Sequence, residues 1–367
     1  MSKTLYNSMA YIHVKRIGNK KYYTLRISVR ENNKVVTKDL CNLGSDISKI
    51  SLDTLEKKYK TEIRKSYKTI KKFLEINNYL EKVKKQKFKS TIYYNKEQLL
   101  DIEAIKLHYN KKFLKLDKQT QKDYYETFLI NFAVNSTSIE GNTIPLKEAD
   151  RLLREDILPK NRTMNEVYDL MNTRTAVNFL MDKKPKLSLQ LIEKMHDMLL
   201  EKIDNRKGFR HHDIRILGQP FKPSPARYVK ADLKLLLSWY EKNKKKIHPL
   251  VLATFFHHKF EKIHPFSDGN GRTGRTLMNY ILFSLGCPPI VISRRFRTKY
   301  LESMNKADRA LEKGLTNIEP KHYSTLLNFI YLEYKSSYWD IFLVWFPLQI
   351  DFWLVRGKSY GHKPKKK

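Results

Sequence analysis

Two cysteines are all that the 367 residues contain, and Cys41 and Cys287 lie far apart. They match no metal-ligand spacing and exclude a disulfide-stapled scaffold, so a reduced, cytoplasmic chain with both thiols buried is expected. Long apolar runs are missing as well. The first residues, MSKTLYNSMAYIHVKR, hold no apolar core of the length a secretory leader needs. The one candidate elsewhere, Tyr338 to Val355, is interrupted by Asp340, Pro347 and Asp351. It is short and broken for a spanning helix, which leaves a helix docked on the core or peripheral membrane contact. Acidic residues are the third shortage: 38 Asp and Glu against 72 Lys and Arg leave a net charge of +34. That excess favours polyanions through counterion release, and its rival is a lysine-rich composition with no such role.

Residues 1–44 alternate and are rich in Val, Ile, Thr and Tyr, with breaks at Gly18-Asn19 and Asn32-Asn33. The pattern predicts a three-stranded β-meander, too small to stand alone. From 45 to 92 the period becomes helical and the segment reads as a basic linker. Tyr59, Ile63, Tyr67, Ile70, Phe73 and Leu74 form its apolar stripe, and lysines cover the other face. A solvated face and a nucleic-acid groove both account for those lysines, so residues 1–92 are the candidate contact for nucleic acid; the meander's weak likeness to transposase-like proteins points the same way, with a small interaction or packing module as the alternative.

From 93 to 335 helical periods dominate, interrupted at Gly208-Phe209-Arg210 and by Pro220, Pro223 and Pro225, where a short extended hairpin or loop is expected. One helix-periodic stretch ends in Ser136-Thr-Ser-Ile-Glu140-Gly141. Ser136 and Glu140, four apart, share a helix face, and Gly141 suits a helix end. His257 and His258 sit in an apolar helical run and are read as core-edge residues, not metal ligands. Residues 336–367 are an apolar segment and a basic tail.

The densest chemistry is His264 to Arg275, HPFSDGNGRTGR, just before the helical run TLMNYILFSLG. Gly269, Asn270 and Gly271 at a helix start present free N–H groups and the positive dipole end to an anion. His264 is the imidazole in the motif and the natural base for a hydroxyl. Asp268 offers carboxylate oxygen to Mg²⁺ beside phosphates, Arg272 and Arg275 offer planar donor forks, and Phe266 anchors the loop.

Eight constrained positions, His264, Phe266, Asp268, Gly269, Asn270, Gly271, Arg272 and Arg275, resemble the Fic family motif. The resemblance extends over about Asn95 to Tyr334. It implies a mainly α, all-helical Fic core with a short β-hairpin flap before the motif, and AMP transfer from ATP, with Mg²⁺, to a Ser, Thr or Tyr hydroxyl of a target protein. Ser136 and Glu140 resemble the inhibitory motif of the class whose inhibitory helix precedes the core, which implies that Glu140 pairs with Arg275. Tyr300 resembles the aromatic near the nucleotide base, with a packing role as the alternative. Removal of AMP, phosphotransfer, and a nucleic-acid-binding regulator with a Fic core remain as other readings, and a homodimer is compatible with all of them.

Overall fold

Strict alternation along the first forty residues builds β1 (Met9–Ile17), β2 (Lys20–Glu31) and β3 (Lys34–Gly44), an antiparallel sheet in the order β1-β2-β3. The structure, a computed structural model, describes residues 9–31, 34–88, 91–215, 222–316 and 319–343. Register pairs such as Ile12 with Leu25 put Ala10, Ile12, Tyr23, Leu25 and Ile27 on one buried face. The first turn uses Gly18 at φ 54°; the Asn32-Asn33 turn lies outside the described residues.

That face is closed by α1 (Leu52–Ile63), capped by Ser51, and α2 (Tyr67–Lys84). Leu55, Ile63, Ile70 and Leu74 complete its core, and Ala10 N donates to Ser66 Oγ at 3.0 Å. Within the segment read as a basic linker, residues 52–84 are therefore the second layer of the N-terminal unit and more than a connector. The later half of α2 turns away from the sheet. Tyr79 and Val83 there pack with Ala104, and Lys112 pairs with Glu75 and Lys72 with Asp340.

The remaining helices are α3 (Lys96–Lys111), α4 (Lys118–Ile139), α5 (Leu146–Glu155), α6 (Met164–Lys183), α7 (Leu189–Leu199), α8 (Val229–Asn243), α9 (Pro249–Ile263), α10 (Asn270–Ser284), α11 (Arg297–Ala307) and α12 (Ser324–Ile341). Helices α9 and α10 pack on one another and are enclosed by α4, α6, α7, α8 and α12, which is why both are buried almost all round.

Three expectations meet different outcomes. The boundary at 335 falls inside α12, because Tyr338, Trp339 and Phe342 are buried in the main core and the Tyr338 hydroxyl lies 2.5 Å from His108 Nδ1. The rest of the apolar segment and the basic tail, 344–367, lie outside the described residues, among which no helix is long and apolar enough to cross a membrane. The hairpin expected near Pro220 falls partly on 216–221, also outside them; the flanks 211–215 and 222–225 hold no strand. Cys287 is buried and its thiol pushed up to about 12 by burial, whereas Cys41 is only half-buried, on β3.

Candidate active site

Helix α9 stops at His264, whose backbone turns left-handed (φ 51°, ψ 64°) ahead of Pro265. Phe266 then dives into the core, fully buried and stacked on His196 with ring centroids 3.7 Å apart. Asn270 locks the turn: its side chain accepts from Phe266 N at 2.9 Å and donates to Phe266 O at 2.8 Å. Gly269 caps α10 at φ 72°, where a Cβ would press into Leu200. The first N–H groups of α10, at Asn270, Gly271 and Arg272, have no carbonyl a turn earlier to bond, so the turn ends in an anion-seeking cradle.

His264 stands beside this cradle with its side chain mostly buried. Its Nδ1 is 3.2 Å from the Glu261 carbonyl, which can only accept. The proton is accordingly assigned to Nδ1, and Nε2 keeps its lone pair. Burial pushes its pKa down to about 4, partly offset by that carbonyl, so the ring is neutral at neutral pH. The turn is held from behind by Arg210, which donates from Nε to His264 O (2.8 Å) and from Nη1 to His212 O (3.0 Å), while Arg210 N donates to Pro265 O (3.0 Å).

Both motif arginines are buried and both meet carboxylates. Arg272 Nη1 lies 2.6 Å from Asp169 and Nη2 3.2 Å from Asp268. Arg275 donates from Nε to Ser136 Oγ (3.0 Å) and from Nη2 to Ser136 O and Glu140 Oε1, both at 2.8 Å. Although burial opposes its charge, the Glu140 carboxylate raises the Arg275 pKa further. Gly271 makes room for this contact: a methyl built there would collide with Glu140 and sit 2.8 Å from Arg275 Nη1.

The fold thus gathers Ser136, Glu140, His264, Asp268, Gly269, Asn270, Gly271, Arg272 and Arg275 around one turn. Tyr300 is different. It is fully buried behind Arg275, stacked with His257, its hydroxyl 2.5 Å from His257 Nε2. A base cannot reach such a ring, so the packing reading of Tyr300 stands. His257 and His258 lie deep in the core rather than at its edge. Sequence reasoning missed Asp169, Arg210, Glu261 and His257 as partners of the site. Asp169 and Arg210 carry no local signal, but Glu261, a charge inside the apolar face of α9, was a visible anomaly.

Comparisons with known proteins match parts of this chain. Residues 186–282, which span the whole motif, match the Fic/DOC family. A protein adenylyltransferase Fic from Aedes aegypti is 31% identical over 202 residues, covering 52% of this chain and 38% of that protein. The protein adenylyltransferase fic-1 of Caenorhabditis elegans is 28% identical over 203 residues, covering 54% and 40%. The chain therefore spans about two fifths of the length of these curated relatives. Among solved structures, a Fic domain-containing signaling protein from Bacteroides thetaiotaomicron superposes with a TM-score of 0.58 at 24% identity, covering 64% of this chain and 94% of that one. At that identity the likeness establishes the fold alone.

Proposed function

We propose, from the match of residues 186–282 to the Fic/DOC family, that the chain transfers AMP from ATP to a hydroxyl side chain of a target protein, restrained by Glu140. The observation that carries this reading is the meeting, at one helix N-terminus, of a neutral imidazole with a free Nε2 and an arginine pinned by a carboxylate.

The chemistry follows from the chain's own groups. The incoming hydroxyl gives its proton to His264 Nε2, a step worth on the order of a hundred- to ten-thousandfold. As its oxygen bonds the α-phosphorus and pyrophosphate leaves, charge grows on phosphate oxygens facing the fixed N–H groups of Asn270, Gly271 and Arg272, which need no reorganisation. Arg275 is the donor fork for the terminal phosphates and does that work only when Glu140 withdraws. Asp268, whose carboxylate is half-exposed beside the cradle, would hold Mg²⁺, a cation that one carboxylate suits because it keeps several waters. Bound there, it would neutralise polyphosphate charge.

ATP labelled separately on the α- and γ-phosphate tests the reaction. Retention of the α label with loss of the γ label is expected; the reverse pattern means phosphotransfer, and label released from a pre-modified target means the opposite direction. The two unpaired cysteines agree with a cytoplasmic setting for this reaction.

A nucleic acid is proposed as a second partner, on the sheet's outer face. The register aligns Tyr11 with Arg26, His13 with Thr24 and Lys15 with Tyr22 there, and Arg30 extends the row. Fluorescence anisotropy of the full chain with a short duplex should show salt-dependent binding that weakens on Lys15→Glu and Arg30→Glu but not on Lys57→Glu; no binding at low salt refutes it.

A further inference from the structure

Behind the turn lies a carboxyl group that the proposed chemistry leaves without a task. Glu261 is one helical turn from both neighbours it faces. Its Oε1 is 3.9 Å from His257 Nδ1, and its Oε2 is 3.9 Å from His264 Nδ1. Oε1 and His257 Nδ1 are both buried without a hydrogen-bond partner. A buried polar atom left unbonded is costly, so a pair of them facing each other across less than an ångström beyond bonding range marks a group held short of an engagement. Nothing can slip between them and α10, because a Cβ on Gly274 would lie 2.7 Å from both atoms.

The proton positions favour that engagement. Burial keeps the Tyr300 hydroxyl protonated, and with that hydroxyl assigned as the donor to His257 Nε2 the His257 proton is placed on Nδ1, toward Glu261. His264 likewise carries its proton on Nδ1. Glu261 therefore sits between two N–H donors. The other charges acting on it come from Arg275 of α10 and Glu140 of α4, and the titratable Tyr300 of α11 faces the same cluster.

We propose that Glu261 is the positioning residue of His264: once Glu140 leaves Arg275, the Glu261 carboxylate takes the His264 Nδ1–H and stabilises the imidazolium formed when Nε2 accepts the substrate proton. The balance is simple. When Glu140 withdraws, the Glu261 carboxyl releases its proton to solvent; in the transfer step the hydroxyl proton moves to Nε2, the Nδ1 proton stays on Nδ1, and the Glu261 carboxylate gains and loses no covalent bond.

Electrostatics supports the coupling to Glu140. Burial pushes the Glu261 carboxyl up to about 8, with Arg275 opposing and Glu140 adding to the rise, so while Glu140 is in place Glu261 is neutral at pH 7. Withdrawal of Glu140 removes a repelling charge and frees the attraction of Arg275, and both changes favour the ionised form. His264 by itself, held near 4, is a weak base, since a base works best near the operating pH; a carboxylate at Nδ1 raises it toward that range.

This proposal rests on the adenylyl-transfer reading, so its test has a readout apart from activity. Histidine ring ¹⁵N titrations of the full chain, with the His264 signal identified by its loss in His264→Ala, are recorded for Glu140→Gly and for Glu140→Gly with Glu261→Gln. The added Glu261→Gln substitution should move the His264 titration down by about one pH unit, and in AMP transfer it should lower kcat about tenfold with KM for ATP within about twofold, the acid limb moving with it. Glu261→Asp, which keeps the charge but withdraws it, should fall between. Identical His264 titrations overturn the proposal whatever the activity; a shifted titration without any AMP transfer upholds the pair and sinks the transferase reading instead.

Discussion

Replacing Glu140 with glycine is the perturbation whose size the structure lets one work out. Arg275 loses one charge-assisted bond of 2.8 Å and keeps Ser136 Oγ and Ser136 O at 3.0 and 2.8 Å. Hydrogen bonds to charged groups contribute about 1.5–3 kcal/mol. The Glu140 side chain is 39% exposed, so solvent screening reduces this to about 1–2 kcal/mol. If that contact is what keeps Arg275 from phosphate, its removal raises AMP transfer by about 5- to 30-fold, each 1.4 kcal/mol being tenfold. The same contact stabilises the fold, so Tm should fall by about 1–3 °C. Backbone strain does not confound the variant, since Glu140 ends α4 at φ −90°, ψ −3°, a conformation glycine adopts freely. Rate rising while stability falls is the signature. A Tm that drops as expected with no rise in transfer would show the Glu140–Arg275 pair to be architectural only.

Other perturbations follow from the same geometry. His264→Ala should abolish transfer while leaving the fold intact by circular dichroism. Gly271→Ala pushes a methyl into Glu140 and to 2.8 Å from Arg275 Nη1, so in the Glu140→Gly background it should weaken ATP binding about tenfold by calorimetry. Asp169→Asn, removing the carboxylate 2.6 Å from buried Arg272, should destabilise the chain by about 2–4 kcal/mol in denaturant titration, with Asp169→Ala worse. For pH, His264 has a folded-state pKa near 4 against about 6.5 unfolded, so as pH falls the unfolded chain binds the proton first. Its contribution is complete above about pH 6.5 and lost between 6.5 and 4, up to about 3 kcal/mol, with buried His257 and His258 shifted in the same direction. Denaturation at about pH 7.5, 6 and 4.5 would measure the slope.

Local patterns were what the sequence displayed best. The three strands followed from alternation and the Gly18-Asn19 break, and the helical stretches from their apolar period. The motif turn was legible because its parts are neighbours in sequence. Ser136 and Glu140 were legible only through family resemblance; nothing in their own segment says that Arg275, more than a hundred residues on, will meet them. Asp169 and Arg210 stayed hidden for the same reason, since each acts through a partner brought near by packing of α6, or of the loop after α7, on the motif. Tyr300 shows the reverse failure: its position in the chain suggests a base-facing aromatic, but α11 packs that face inward onto His257. Residues 45–92 read as a linker because lysines dominate their composition, while a few apolar positions decided the outcome by closing the sheet.

Intact-mass spectrometry of the purified full chain after incubation with ATP and Mg²⁺, comparing wild type, Glu140→Gly and His264→Ala, bears most directly on all of this. The expected result is a mass gain of one AMP per modified hydroxyl, on the chain or an added protein target, small in the wild type, large in Glu140→Gly and nil in His264→Ala. An equal gain in all three proteins, or none in Glu140→Gly with any protein target offered, contradicts a base at His264 working beside an arginine that Glu140 restrains.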